Sequence, residues 1–465
     1  MDILLTHGYF LAEDEVERTV MKPYPPLGLL YISSHLKALG FSVEILDNTF
    51  RTVASALEAL DSRRPKIIGV YVNLMTRRNA LKLIAKAKEV GATVVLGGPE
   101  PVNYAEEYLA RGADIIVSGE GEKALEALIP HLRLHGLSVL DKVPGIHFRG
   151  DDGAVVSTSS RQQIGDLDAQ PFPDRSAIDL EQYLSTWQTH HGVRSVSLIT
   201  ARGCPYTCSW CSHSVYGRSH RRRSPENVAD EIDLVRERYR PDQLWYADDV
   251  FTIHAKWLER FASELKRRGL HYPFETITRE DRLNENVVRT LAAMGCYRLW
   301  IGAESGSQRI LDGMERRTNA ARMRDMIRLV KSHGIRAGTF IMVGYEGETW
   351  NDIKLTADHL RDAAPDDVLT TLSYPIKGTP YYTSVADRIV ARRGWEEGSD
   401  RDLTILGRNS RRYYAHAQRW LQAEAELGRM GQAKTRNWRR LVRAKAASAV
   451  SRVGMYVSRN EVEHG

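Results

Sequence analysis

The stretch VSLITARGCPYTCSWCSHS, Val196 to Ser214, runs from a continuous apolar segment straight into Cys204, Cys208 and Cys211. The chain has 465 residues and four cysteines, so three of the four fall within eight residues. VSLIT reads as a buried strand, which puts the cysteines at a strand's carboxyl end. Four cysteines are too few for a disulfide framework. Thiolates at close, fixed spacing instead hold soft metals or iron–sulfur clusters. A closed zinc site needs four ligands, and only His213 is near enough in sequence to be the fourth. Three cysteines on a four-iron cluster leave one iron open. Cys296, in LAAMGCYRLWIG, reads as a small buried apolar residue.

Outward from the cysteines the pattern repeats. Residues 192–385 hold six strand-like runs: VSLITARG, QLWYADDVF, PFETITRED, RLWIGAES, RAGTFIMVG and VLTTLSYPI. Helical stretches such as AKWLERFASELKRRG and AARMRDMIRLVKSHG separate them. Six units predict a partial (β/α)6 barrel, since a full eight-unit barrel takes about 250 residues. Catalytic groups belong at the carboxyl ends of such strands.

Residues 1–150 also alternate: MDILLTH, SVEILDN, KIIGVYVN, ATVVLGG and ADIIVSG read as strands between helices. This predicts a doubly wound, Rossmann-like sheet. Its strand-end loops are Thr6-His7-Gly8, Asn73 to Thr76, Gly97-Gly98-Pro99-Glu100 and Ser118-Gly119-Glu120 with Gly121-Glu122. Glycine there lets backbone approach a large flat ligand. Residues 151–191, polar and carrying Pro171 and Pro173, read as a linker.

Residues 386–465 read as helical and basic. Gly428 to Asn460 carries nine basic residues and no acidic one. Trp438, Val442, Ala446, Val450, Val453 and Val457 share one helical face. Such a helix can lie on an anionic membrane surface or pack on its own barrel; packing is the favoured reading. No run of about 18 apolar residues is present to cross a membrane, and MDILLTHGYF reads as a strand rather than a leader, so the cytoplasm is the expected compartment. A net charge of +6 is modest for this length and does not argue for nucleic acid.

C-x3-C-x2-C at the end of a first barrel strand, with Trp210 before the last cysteine, resembles the radical S-adenosylmethionine (SAM) superfamily. The resemblance implies that Cys204, Cys208 and Cys211 hold a 4Fe-4S cluster whose open iron chelates S-adenosylmethionine. It places SAM contacts at Trp210, at Asp248 after the second strand, at Arg279 after the third, at Glu304 and Ser305 after the fourth, and at Val343 after the fifth. The chemistry suits those roles: a carboxylate for an ammonium group, arginine for a carboxylate, Glu304 for ribose hydroxyls.

The N-terminal segments PPLGLLYISSHLKALGFSVEILD and VVLGGPEPVNYAEEYLARGADIIVSGEGE resemble the cobalamin-binding domain of cobalamin-dependent radical SAM enzymes. With ADDVF, TITRED and MGCYRLWIGAESG, the likeness covers roughly residues 1–385. It is similar to the subgroup that includes the anaerobic magnesium-protoporphyrin monomethyl ester cyclase and the cobalamin-dependent C-methyltransferases. It implies cobalamin contacts at Thr6, His7, Thr76, Gly97, Gly98, Pro99, Ser118, Gly119 and Glu120, and Tyr374 in a substrate cavity. No D-x-H-x-x-G occurs in the chain, so cobalamin is expected to bind without a protein histidine on cobalt. The implied reaction is methylation of an unactivated carbon, by a methyl from methylcobalamin, after hydrogen abstraction by a 5′-deoxyadenosyl radical. Cyclase-like oxidation or rearrangement is the alternative. A small-molecule substrate and an external flavodoxin- or ferredoxin-type electron donor go with either. RNA-modifying relatives use further cysteines upstream, and residues 1–203 have none; no nucleic-acid partner is expected. Oligomeric state has no signal in the sequence.

Overall fold

A computed structural model describes residues 1–160, 162–432 and 437–463. The first sheet is built from β1 (Ile3–His7), β2 (Val43–Leu46), β3 (Ile67–Tyr71), β4 (Thr93–Gly97), β5 (Ile115–Val117), β6 (Ile146–Arg149) and β7 (Val155–Ser157). Its order is β2-β1-β3-β4-β5-β6-β7. The first five strands are parallel, and β6 and β7 add an antiparallel edge. The five parallel strands are the apolar runs of the sequence. Helices such as Leu27–Ala38 and Arg77–Glu89 bury apolar residues on both faces of the sheet, as two-sided burial of parallel strands requires.

Two elements differ from the sequence reading. The β6–β7 hairpin continues the first sheet past residue 150, and the region read as linker also holds the helix Leu180–His191. That helix buries Leu180, Tyr183, Leu184 and Trp187. Its four apolar contacts are spaced among polar residues, which disguises it in the sequence.

The second sheet contains β8 (Ser195–Leu198), β11 (Gln243–Tyr246), β12 (Phe274–Thr278), β13 (Cys296–Glu304), β14 (Arg336–Val343) and β15 (Asp367–Leu372). The strands are all parallel and lie in chain order from β8 to β15. This is the expected partial (β/α)6 barrel. Between β8 and β11, a two-residue ladder of β9 (Ala201–Arg202) and β10 (Arg221–Arg222) closes the base of the cysteine loop. Cys296 is buried in the barrel core.

The expected helical tail is present. The penultimate helix, Arg411–Gln432, packs Tyr413, Tyr414, Ala417 and Leu421 against the barrel. The last helix, Trp438–Val457, packs on the penultimate one and corrects the favoured sequence reading: it buries Ala444, Ser448, Ser451 and Met455, not the Trp438–Val457 stripe. Small residues allow close approach, and Ser448 Oγ donates to Glu424 Oε1 at 2.6 Å. Trp438, Val442, Val450, Val453 and Val457 are exposed. Two basic residues of the tail, Lys434 and Arg436, lie outside the described residues.

Candidate functional site

The cysteine loop is anchored at both ends. Asp248, just after β11, accepts from Thr200 N–H at 2.7 Å, Thr200 Oγ1 at 2.5 Å, Ala201 N–H at 3.1 Å and Arg222 at 3.0 Å. Gly203 follows β9 at φ +84°, and a Cβ there would lie 2.4 Å from the Ser219 carbonyl oxygen. Only glycine fits where the loop leaves the ladder.

Cys204, Cys208 and Cys211 are free thiols and line one cavity of about 1070 Å³, counted out to its open mouth. Trp210, His213, Asp249, Arg279, Glu304, Arg316 and Phe340 share its wall. Cys208 Sγ accepts from both Arg279 and Arg316 at 3.7 Å. Arg279 also donates to Asp281 at 2.9 Å and to the Arg316 carbonyl at 2.8 Å, and its guanidinium lies 3.7 Å from the Tyr206 ring centroid. Both guanidiniums are buried and converge on this one sulfur. Burial pushes the Cys204 thiol up, and nearby Asp249 adds to it. A bound metal, which takes the deprotonated form, would reverse that cost. Among the described residues, no three His, Cys, Asp or Glu side chains close on a single ion; a four-iron cluster asks each sulfur for one iron.

Glu304 ends β13 where the register with β14 shifts, and it holds φ +62°. A non-glycine residue there is uncommon, and such strain collects at functional sites. Burial raises its carboxyl, opposed by Arg316 and Arg279; Arg316 stands 3.9 Å away. Asp249 is solvent-accessible on the cavity wall; desolvation by the surrounding protein raises its carboxyl, with Asp248 adding repulsion. His213 Nε2 and Arg316 Nε are buried and have no partner among the described residues.

Of the SAM-contact candidates, Trp210, Arg279 and Glu304 reach the cavity. Asp248 does not, because its oxygens are held by the loop and Arg222; its neighbour Asp249 takes the wall position. Ser305 is buried, 3.1 Å from Thr356 Oγ1 and 3.1 Å from the Ser307 N–H it accepts. Val343 lies in the core beneath the penultimate helix, and Phe340, stacked on Trp300, faces the cavity from the same strand. Tyr374 stands in a separate cleft with Arg401, Arg408 and Arg411.

A second, mainly apolar cleft of about 740 Å³, counted the same way, opens at the carboxyl ends of β3, β4 and β5. Gly97, Gly98, Gly119 and Glu120 line it, as do Gly28, Gly69 and Gly121. A Cβ at Gly28 or Gly97 would meet nothing within 4 Å. The other candidates of this group sit elsewhere. Thr6 donates to the Leu46 carbonyl at 2.8 Å. His7 pairs with Asp47 at 2.9 Å. Thr76 Oγ1 accepts from Asn73 N–H. Ser118 N–H donates to the Gly145 carbonyl, and Pro99 lines the cysteine cavity.

The two spaces share a wall, since Val215 and Tyr216 line both. Arg202 of β9 crosses to Glu120 and Glu122 at 2.7 Å each, and Arg221 of β10 reaches Glu120 at 2.7 Å. Arg316, Tyr216 and Arg202 have no counterpart in the sequence reading, whereas Asp249 and Phe340 fall in the strand-end stretches from which Asp248 and Val343 are taken. Asp249 was one residue away, and the arginines carried no local pattern.

Residues 198–360 match the family model of the radical SAM superfamily, and residues 16–129 match that of the B12 binding domain. An uncharacterized methyltransferase of Pyrococcus horikoshii is 27% identical over 399 residues, 83% of this chain and 84% of that protein. The anaerobic magnesium-protoporphyrin IX monomethyl ester cyclase of Rubrivivax gelatinosus is 28% identical over 378 residues, 79% of this chain and 67% of the cyclase. The fold is similar to that of the cobalamin-dependent S-adenosylmethionine radical enzyme OxsB, solved with aqua-cobalamin bound. The TM-score is 0.72 at 19% identity, over 98% of this chain and 72% of that one.

Proposed function

We propose that this chain, which belongs to the radical SAM superfamily and carries a B12-binding domain ahead of the barrel, methylates an unactivated carbon of a small molecule. The observation behind the reading is the shared wall. Val215 and Tyr216, four and five residues past Cys211, border both the cysteine cavity and the glycine-walled cleft. The relatedness to a methyltransferase over most of the chain supports it.

The residues fit the groups that this reading needs. Three free thiols, two of whose neighbours are arginines, suit a 4Fe-4S cluster. The open space at Gly28 and Gly97, between apolar walls that include Leu5, Val70 and Val95, suits a flat apolar arm of cobalamin. When bound, the cluster and S-adenosylmethionine supply a 5′-deoxyadenosyl radical that removes a hydrogen atom, and cobalamin carries the methyl group.

The chain's own residues bind and orient. Cys204, Cys208 and Cys211 ligate the cluster. Asp249 takes the ammonium of S-adenosylmethionine, the role first given to Asp248. Arg279 and Arg316 form the cationic wall for its carboxylate, and Glu304 accepts from its ribose. Trp210 and Phe340 wall the cavity with apolar surface that keeps water out. Gly97, Gly98, Gly119 and Glu120 border the cobalamin arm. An external flavodoxin- or ferredoxin-type protein supplies the electron.

The 28% identity to the cyclase favours a second reading, oxidation or rearrangement without methyl transfer. The experiment uses anaerobically purified protein from cells supplied with cobalamin. It is reduced in the presence of S-adenosylmethionine, and S-adenosylhomocysteine and 5′-deoxyadenosine are quantified together. Both products are expected. Deoxyadenosine without S-adenosylhomocysteine would replace methyl transfer by the cyclase-like reading.

A further inference from the structure

We infer that the last helix, Trp438–Val457, is a docking surface for an anionic lipid bilayer. At helical periodicity its exposed apolar residues Trp438, Val442, Ala446, Val450, Val453 and Val457 fall within an arc of about 120°. The buried residues Ala444, Ser448, Ser451 and Met455 lie on the opposite side. The stripe therefore faces away from the protein, with Trp438, Val450 and Val453 at 67%, 67% and 62% exposure. The helix face turned inward is small and buried rather than polar. Its amphipathic character thus lies across the solvent-facing half alone, where the stripe is bordered by cations.

Charge complementarity selects the occupant. Lys445 and Arg452 run along one edge of the stripe and Arg443 along the other, and all three are exposed. No acidic residue occurs between Glu426 and Glu461. Aromatic rings stand near both ends: Trp438 is exposed, and so is Tyr456, with the Arg459 guanidinium 3.8 Å from its ring centroid. An apolar stripe flanked by lysine and arginine, with aromatic residues at its ends, is what an interfacial helix presents to headgroups and acyl chains. A nucleic acid would be drawn to the cations but would gain nothing from four exposed valines. A second copy of the chain would bring the same positive charge to the contact. No helix among the described residues is long and apolar enough to cross a membrane, so the contact proposed is with the surface.

The test is co-sedimentation of the full chain with vesicles of phosphatidylcholine alone or with about a quarter phosphatidylglycerol. Binding to the anionic vesicles only, weakened by salt, is expected. Arg443→Glu with Lys445→Glu and Arg452→Glu should lower the partition coefficient at least about a hundredfold, each reversal removing a cation near the surface. Val450→Asp with Val453→Asp should abolish binding in a protein whose circular dichroism and thermal midpoint are unchanged, since both sites are exposed. Three results would overturn the inference: no binding to anionic vesicles; binding that survives the valine changes and is competed by RNA; or a dimer, seen by light scattering, that the valine changes dissociate while vesicles stay unbound.

Discussion

Replacing Arg202 with methionine tests how the two domains are held around the shared wall. Arg202 Nη1 and Nη2 lie 2.7 Å from Glu120 and Glu122 respectively, and all three side chains are nearly inaccessible to water. Methionine keeps much of the aliphatic volume and removes the charge. Glu120 retains Arg221 at 2.7 Å; Glu122 has no other ion pair among the described residues. Breaking a buried pair costs about 3–5 kcal/mol, because the partner is left as an uncompensated charge. Since Glu120 keeps one partner, the lower end, about 3 kcal/mol, applies. A chain with several domains need not unfold in one step, so local opening is the better readout. The amide of Ile164 donates to Glu120 Oε2 at 2.9 Å in a buried position. Its hydrogen exchange should accelerate roughly 150-fold, the equivalent of about 3 kcal/mol. Glu122→Gln in the Arg202→Met background should restore at least about tenfold of that, by removing the stranded charge. Acceleration under about threefold, or no rescue by Glu122→Gln, would refute the coupling.

The adjacent aspartates should separate cleanly. Asp248→Asn should lower the thermal midpoint by leaving Thr200 and Arg222 poorly satisfied, whereas Asp249→Asn should leave it unchanged and weaken S-adenosylmethionine binding at least about tenfold, the scale of losing one charge-assisted contact; calorimetric titration and thermal scans check both. Gly97→Phe projects into open space at its Cβ and should yield a folded protein that loads iron but retains no cobalamin, as absorbance after gel filtration would reveal. His359 is fully buried, with both ring nitrogens unpartnered among the described residues; burial first, then Arg324 and Arg328, pushes its pKa down to about 3. Because the folded ring is neutral while the unfolded one takes a proton below about pH 6.5, its contribution to stability falls as pH drops from about 6.5 towards 3, at a slope of about 1.4 kcal/mol per unit. His359→Leu should flatten that part of the midpoint-versus-pH profile, and an unchanged slope would contradict the assignment.

The barrel and the doubly wound sheet were legible because parallel strands buried on both faces leave continuous apolar runs, as in ATVVLGG and RAGTFIMVG. The cysteine loop was legible because its spacing is local. What escaped depends on contacts between distant residues or on the direction of a single side chain. Nothing local distinguishes Asp248 from Asp249; Thr200 and Arg222, 48 and 26 residues away, claim the first. Arg202 meets Glu120 across 82 residues, and Arg316 reaches Cys208 across 108. Thr6 and His7 sit at a strand end as expected but turn to the β2 side, towards Leu46, Asp47 and Asn48. In the last helix the sequence displays an apolar stripe, but small residues on the other face make the closer contact, so the stripe is left outside.

Whether one chain holds both cofactors is tested by measuring iron and cobalamin together on the same anaerobically purified protein, wild type and Cys204→Ala/Cys208→Ala/Cys211→Ala, from cells supplied with cobalamin. About four irons and one cobalamin per wild-type chain are expected, with a triple variant that loses the iron and keeps the cobalamin. A wild-type chain that binds iron but no cobalamin, or a triple variant whose iron content is unchanged, would contradict that expectation.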